Sequence, residues 1–194
     1  MEKVTNQLYP IFLKLEKLQL LIVGGGYVCN EKLSSILKNS PSANIKIVAK
    51  DFSKEVLDKV KGKKNIELIK AAFNEKHLLN IDIAIVAIDD KKISKEIHAV
   101  CKKYKIICNV ADKPELCDFY MGSIVSKGNV KIAISTNGKS PTLAKRLKEF
   151  LNTAIPDEID ELSENLAKYR ATLKTSFNEK IKALNEATKS LINW

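Results

Sequence analysis

Residues 19–32 read Q-L-L-I-V-G-G-G-Y-V-C-N-E-K, and the rest of the chain is organised around them. An apolar run, Leu20 to Val23, stops at three glycines. Helical spacing follows, with Val28, Leu33, Ile36 and Leu37 on one face. The order is strand, tight turn, helix. Gly24 can supply the turn. Gly26 lets the backbone approach a pyrophosphate, towards which the new helix points its free N–H groups. The third small position of this dinucleotide fingerprint falls on Cys29. A tight turn without a ligand is the alternative. The weight therefore rests on the strand–helix rhythm that continues behind the turn.

That rhythm predicts strands over 45–49 (I-K-I-V-A), 66–69, 81–88 (I-D-I-A-I-V-A-I) and 106–110, alternating with helices that end near Asn39 and span 53–60 and 93–104. Upstream, residues 9–15 (Y-P-I-F-L-K-L) are apolar and β-prone, but Pro10 confines them to an edge or a lead-in. Five strands alternating with helices make a parallel, doubly wound, Rossmann-type α/β sheet. Ligands bind such sheets at the carboxyl ends of the strands. The candidate residues there are Lys50-Asp51, Asp89-Asp90 after the apolar strand, and Asn109-Val110-Ala111-Asp112. An acid after the second strand suits the ribose of NAD, so Asp51 favours NAD while Lys50 leaves NADP open. Asp51 could equally cap the next helix.

The rhythm then changes. Residues 119–126 and 130–135 are β-prone runs joined by Lys127-Gly128-Asn129, which predicts a hairpin in a separate antiparallel layer or one pairing across a dimer. Ser135-Thr136-Asn137-Gly138-Lys139-Ser140-Pro141 follows. Ser140 and Pro141 suit a helix start, and the turn's hydroxyls, N–H groups and Lys139 offer an anion site. The helix to about residue 152 carries Leu143, Leu147, Phe150 and Leu151 on one face. In the tail, Ile159, Leu162, Leu166, Tyr169 and Leu173 recur in steps of three and four. Ser176-Phe177-Asn178-Glu179 is a capping-box pattern opening a second helix, whose apolar face is Phe177, Ile181, Leu184 and Leu191. These stripes read as packing or dimer faces.

Composition narrows the function. In 194 residues there is room for one sizeable core plus a smaller appendage. No apolar run approaches the roughly 20 residues of a membrane span, and the polar start lacks a signal-peptide core, so a cytoplasmic protein is expected. Cys29, Cys101, Cys108 and Cys117 show no metal or redox spacing and read as reduced. His77 and His98 read as structural, and no metal site is expected. Residues 1–150 hold 27 Lys and Arg against 16 Asp and Glu, whereas residues 151–194 hold 6 against 7. The basic body suits a polyanionic ligand. With only two arginines, Arg146 and Arg170, and no aromatic reading surface, nucleic acid is not expected.

Taken in order, G-G-G-Y-V (24–28), Asp89-Asp90, N-V-A-D (109–112) and I-S-T-N-G-K-S-P (134–141) resemble the precorrin-2 dehydrogenase family, the module that also forms the N-terminal part of siroheme synthases. The resemblance covers nearly the whole chain. It implies an NAD-binding Rossmann domain over 1–113, a dimerisation segment over 114–152, a helical domain over 153–194, and a homodimer. It implies oxidation of precorrin-2 to sirohydrochlorin with NAD, the catalytic aspartate falling on Asp112. Its cofactor contacts fall on Gly25, Gly26, Tyr27 and Val28, on Lys50 and Asp51, and near Ile88; Gly24 and Asp89 beside them are expected to line the same cofactor site. Substrate contacts are expected at Asn109, Ser135, Thr136, Gly138, Lys139 and Ser140, and Thr136 falls on a hydroxyl that is phosphorylated in a relative. Cys29, Ile88 and Gly122 stand where the family usually has Ala, Thr and Pro. Two other readings compete: an added chelatase activity inserting iron or cobalt, and a non-catalytic NAD-sensing dimer.

Overall fold

The computed structural model describes residues 6–189. Its first compact unit comprises the chain up to Met121 together with Ser135–Ser140. Five parallel strands form its sheet: β1 (Gln19–Val23), β2 (Asn44–Ala49), β3 (Ile66–Lys70), β4 (Ile83–Val86) and β5 (Ile107–Val110), in the order β3-β2-β1-β4-β5. Leu20 to Val23 pair with Ile45 to Val48 on one side and Ile83 to Val86 on the other. The helices are α1 (Tyr27–Asn39), α2 (Lys54–Val60) and α3 (Lys91–Lys103). The chain winds from β1 to β3, then crosses back to β4. The direction of winding reverses between β1 and β4, where α/β sheets bind ligands.

Both faces of the sheet are covered, which explains why β1 and β4 are continuous apolar runs rather than alternating ones. Leu20, Ile22 and Ile47 pack with Cys29, Leu33 and Ile36 of α1 in one core. Leu21, Val23 and Val86 pack with Ile97 and Cys101 of α3 in the other. Val28 and Leu37 flank the first core half-buried. Cys29 is fully buried, and desolvation pushes its thiol up to about 12.

Two sequence expectations are corrected here, and the edge-or-lead-in alternative for residues 9–15 is decided. The strand expected over 81–88 is four residues long, because β1 and β5 offer ladder partners only to Ile83–Val86 before each turns away. Residues 9–15 form no strand. The chain is irregular to Lys14 and then makes a short 3-10 turn, Leu15–Lys17, leaving Tyr9, Ile11 and Phe12 exposed. The hairpin begins at Ser123 rather than 119, because Phe119 and Met121 pack against the Rossmann core instead.

The edge strand β5 gains a clasp from the loop after it. Cys108 N–H donates to Asp118 Oδ2 (2.9 Å), and Asp118 N–H donates back to Cys108 O (2.8 Å). Lys102 of α3 pairs with the same carboxylate.

The second unit, residues 122–134 and 141–189 as described, holds a two-stranded antiparallel sheet and three helices. Strands β6 (Ser123–Lys127) and β7 (Val130–Ile134) are joined by Gly128-Asn129 alone. Gly128 lies at φ +55°, and a Cβ there would fall 1.9 Å from the Asp160 carboxyl. That carboxylate accepts Asn129 N–H (2.7 Å) and Asn129 Nδ2–H (2.9 Å), tying the hairpin to α5 (Ile159–Thr172). Helix α4 (Pro141–Ala154) buries Ala144 but leaves Leu143, Leu147 and Phe150 exposed, so most of the apolar face read from sequence stays uncovered among the described residues. Helix α6 (Phe177–Ala187) begins with the expected Ser176–Glu179 capping box; Leu191 lies outside the described residues. Among the described residues no helix is long and apolar enough to cross a membrane, and no group of three or more His, Cys, Asp or Glu could hold a metal.

The Asp118 clasp has a pH signature. Burial pushes its carboxyl up, but the Lys102 ammonium and the Cys108 N–H outweigh this and hold it below the ordinary carboxylate range. A depressed folded pKa gives stability that is full above roughly pH 4 and lost as pH falls through the folded value. Asp118→Ala should cost about 1–2 kcal/mol at pH 7. In urea denaturation of both proteins from pH 7 to 3, the difference should shrink on acidification. A difference that grew would overturn this account of the clasp.

Candidate functional site

At the carboxyl edge of the sheet, β1 ends where no side chain fits. Gly24 takes φ +124°, its N–H donates to Val48 O (2.9 Å), and a Cβ there would lie 2.2 Å from Ala87 O. A Cβ on Gly25 would lie 2.2 Å from Asp51 O. Gly26 differs. It precedes α1 at φ −96°, and a Cβ there would meet nothing within 4 Å. No side chain caps α1, and its first turn holds no acid. The helix start therefore keeps its positive end open beside a glycine backbone, the arrangement that accepts a pyrophosphate.

Around this turn lies a cleft of about 480 Å³. Gly24, Gly25, Lys50, Asp51, Ile88 and Asp89 all line it, as does Phe73. Six residues read from the sequence thus converge from β1, β2 and β4. Gly26, Tyr27 and Val28 follow at the helix start; Tyr27 is exposed and Val28 half-buried.

The acids of the cleft divide by role. Ser53, not Asp51, caps α2, accepting Val56 N–H (3.4 Å). Asp51 instead pairs with Lys70 at 2.7 Å, both side chains being more than 70% exposed. Asp90 caps α3 through Lys92 N–H (2.8 Å) and Ile93 N–H (2.9 Å). Asp89 stays exposed at the rim. His77 is structural, because its Nδ1 accepts Asn74 N–H (3.1 Å) at the start of a 3-10 turn.

One strand further along the same edge, Ala111 N–H still bonds Val86 O (2.9 Å), and then the chain reverses. Lys113 N–H closes onto Val110 O (3.2 Å), with Asp112 between them at φ +58°. Asp112 is exposed and makes no hydrogen bond or ion pair among the described residues. Its neighbour Lys113 turns away to donate to the buried Ser94 hydroxyl (3.3 Å). Asn109 is buried, its amide donating to Phe119 O (2.8 Å) and towards Cys117 Sγ (3.4 Å).

The 135–140 turn does not line the cleft. Asn137 and Gly138 both take positive φ (54° and 73°), with Lys139 N–H closing onto Thr136 O at 3.0 Å. Ser135 Oγ accepts Asn137 N–H (3.2 Å), and Thr136 Oγ1 accepts Ser140 N–H (3.2 Å). The hydroxyls therefore shape the turn, and Lys139 remains exposed. Sequence reading missed Lys70, Phe73 and Cys117. Lys70 becomes findable once the strand order is known, since the β2–β3 register sets it opposite Ala49, next to Lys50-Asp51. No local signal marks Cys117.

The three glycines are separable by mutation. Gly26→Ala should fold normally, because its Cβ meets open space, yet weaken dinucleotide binding about tenfold or more by blocking the phosphate approach. Gly24→Ala should lower the melting temperature itself. Thermal melts alongside fluorescence titration with the reduced dinucleotide read both effects, and a Gly26→Ala protein with unchanged affinity would remove the pyrophosphate from this turn.

The comparisons agree with this geometry. The family described as putative NAD(P)-binding matches residues 11–123, and the central region of sirohaem biosynthesis proteins matches residues 127–153. Siroheme synthases of Pseudoalteromonas translucida and Psychrobacter arcticus are each 36% identical, over 88% and 86% of this chain. The chain spans only about a third of the length of these curated relatives, 36% and 30% respectively. A solved structure of SirC, a precorrin-2 dehydrogenase, superposes with a TM-score of 0.74 at 26% identity, covering 92% of this chain and 88% of that one. With a nicotinamide-dinucleotide fold matched over more than half its length, the chain belongs to the NAD(P)-binding family of precorrin-2 dehydrogenases and siroheme synthase N-terminal modules.

Proposed function

We propose that the chain oxidises precorrin-2 to sirohydrochlorin in siroheme formation, using NAD and Asp112 as base. The observation that carries the reading is Asp112 itself: an exposed, unpaired carboxylate in a left-handed conformation on the sheet edge that bears the cleft. Backbone strain of this kind concentrates at functional sites. The likeness to SirC and the siroheme synthases supplies the substrate class.

The nicotinamide, when bound, supplies the hydride acceptor. Asp112 accepts the proton that leaves with the hydride, which balances the dehydrogenation. Gly24 to Val28 hold the pyrophosphate against the start of α1. Asp51 accepts the ribose hydroxyls and favours NAD over NADP. The substrate carries eight carboxylates, which suits the lysine-rich body and the exposed Lys139 in the 135–140 turn. The protein acts in the cytoplasm as a homodimer, with residues 114–152 as the dimerising segment and the exposed Leu143, Leu147 and Phe150 of α4 as the face that a second copy covers.

The test is anaerobic incubation with precorrin-2 and NAD, following sirohydrochlorin and reduced cofactor together by absorbance. Wild type should form both one to one. Asp112→Asn should lower kcat about 100-fold or more while leaving the NAD dissociation constant within about twofold. Asp51→Ala should raise the NADP-to-NAD ratio of kcat/KM on the order of tenfold, the worth of one charge-assisted hydrogen bond. Full turnover by Asp112→Asn would sink its assignment as base.

A further inference from the structure

We propose that the Cys117 thiol is a positioning residue that holds Asp112 in its working conformation. This rests on the reading of Asp112 as the base. Strand β5 is the edge of the sheet, so the residues whose N–H and C=O face outward, Cys108 and Val110, have no neighbouring strand. Asp118 serves Cys108. Cys117 serves Val110: its sulfur accepts Val110 N–H (3.3 Å), and its S–H points to Val110 O (3.2 Å). The same sulfur lies 3.3 Å from Lys113 O and 3.4 Å from Asn109 Nδ2. One thiol therefore joins Val110, where the turn begins, to Lys113, where it ends. Between these two residues sit only Ala111 and Asp112.

That placement matters because φ +58° is costly for any residue with a Cβ, and it persists only where surroundings over-determine it. The Ala111 N–H bond to Val86 O fixes the entry to the turn. The Lys113 N–H bond to Val110 O (3.2 Å) closes it. The thiol is the only side chain among the described residues that bonds both sides. Cys117 is half-buried, and desolvation pushes its thiol up, so at neutral pH it stays protonated and keeps the S–H that the turn carbonyls accept. It acts as a hydrogen-bonding hub and not as a nucleophile.

The experiment compares Cys117→Ala and Cys117→Ser in the 194-residue chain, with Asp112→Asn alongside. Three readouts are taken: kcat, the NAD dissociation constant, and amide hydrogen exchange at Lys113. Cys117→Ala should lower kcat about tenfold and leave the NAD constant within twofold. It should also speed exchange at Lys113. Cys117→Ser, whose hydroxyl can still donate and accept, should recover most of kcat. Wild-type kcat in Cys117→Ala with an inactive Asp112→Asn overturns the proposal. So does a parallel fall in kcat, NAD affinity and melting temperature that serine does not rescue. Turnover by Asp112→Asn overturns the base reading instead, and Lys113 exchange then judges by itself whether the thiol holds the turn.

Discussion

The structure depends on a steric exclusion: a Cβ cannot exist at residue 24 or 25. At both positions it would stand 2.2 Å from a backbone oxygen, Ala87 O in one case and Asp51 O in the other. Those oxygens belong to the segments that leave β4 and β2, the two neighbours of β1. The contacts thus draw the ends of three adjacent strands to within a bare backbone of each other. Only because the chain passes so tightly does α1 begin over the reversal point of the sheet, with its unpaired N–H groups facing outward. Gly26 then keeps the approach open. Fold and binding site are two consequences of one packing constraint.

A second constraint acts at the far edge. An edge strand presents unpaired backbone groups, which natural sheets must satisfy or protect. Here residues 117 and 118 do this with side chains in place of a sixth strand. A further β-strand would have paired Val110 in a flat ladder and left the following residues extended. A thiol and a carboxylate satisfy the same groups while letting the chain reverse at once. The reversal puts a non-glycine residue in the left-handed region, and aspartate tolerates that region better than most side chains.

Much of this was legible in the sequence, for reasons that are local. The glycine turn and the buried strands announce themselves by apolar runs too short for helices, and the capping box and the Gly-Asn turn by fixed offsets. The fate of Asp51 was open, because a cap and a ribose acceptor look alike in sequence. Ser53 takes the cap, which leaves the Asp51 carboxylate to pair with Lys70. Lys70 and Cys117 were invisible for a different reason. Each acts through a partner 19 and 7 residues away whose proximity depends on strand order or on an edge having no neighbour. The stripe on α4 was correctly periodic, yet periodicity cannot say whether a face meets its own chain or another.

The Asp51–Lys70 pair shows how little energy a site of this kind needs. Both side chains are more than 70% exposed, and such pairs contribute only about 0–1 kcal/mol to stability. The fold would hardly notice its loss. On the proposed reading a ligand would, because Lys70 engages only Asp51 Oδ1 (2.7 Å) and leaves the other carboxylate oxygen for a ribose diol. Under that reading the same lysine would moderate selectivity. A 2′-phosphate placed beside Asp51 would meet repulsion from that carboxylate but attraction from its partner Lys70 and from Lys50 of the same cleft. Under the proposed role of Asp51, discrimination against NADP would rest on geometry, since a diol can bridge to a carboxylate and a phosphate cannot.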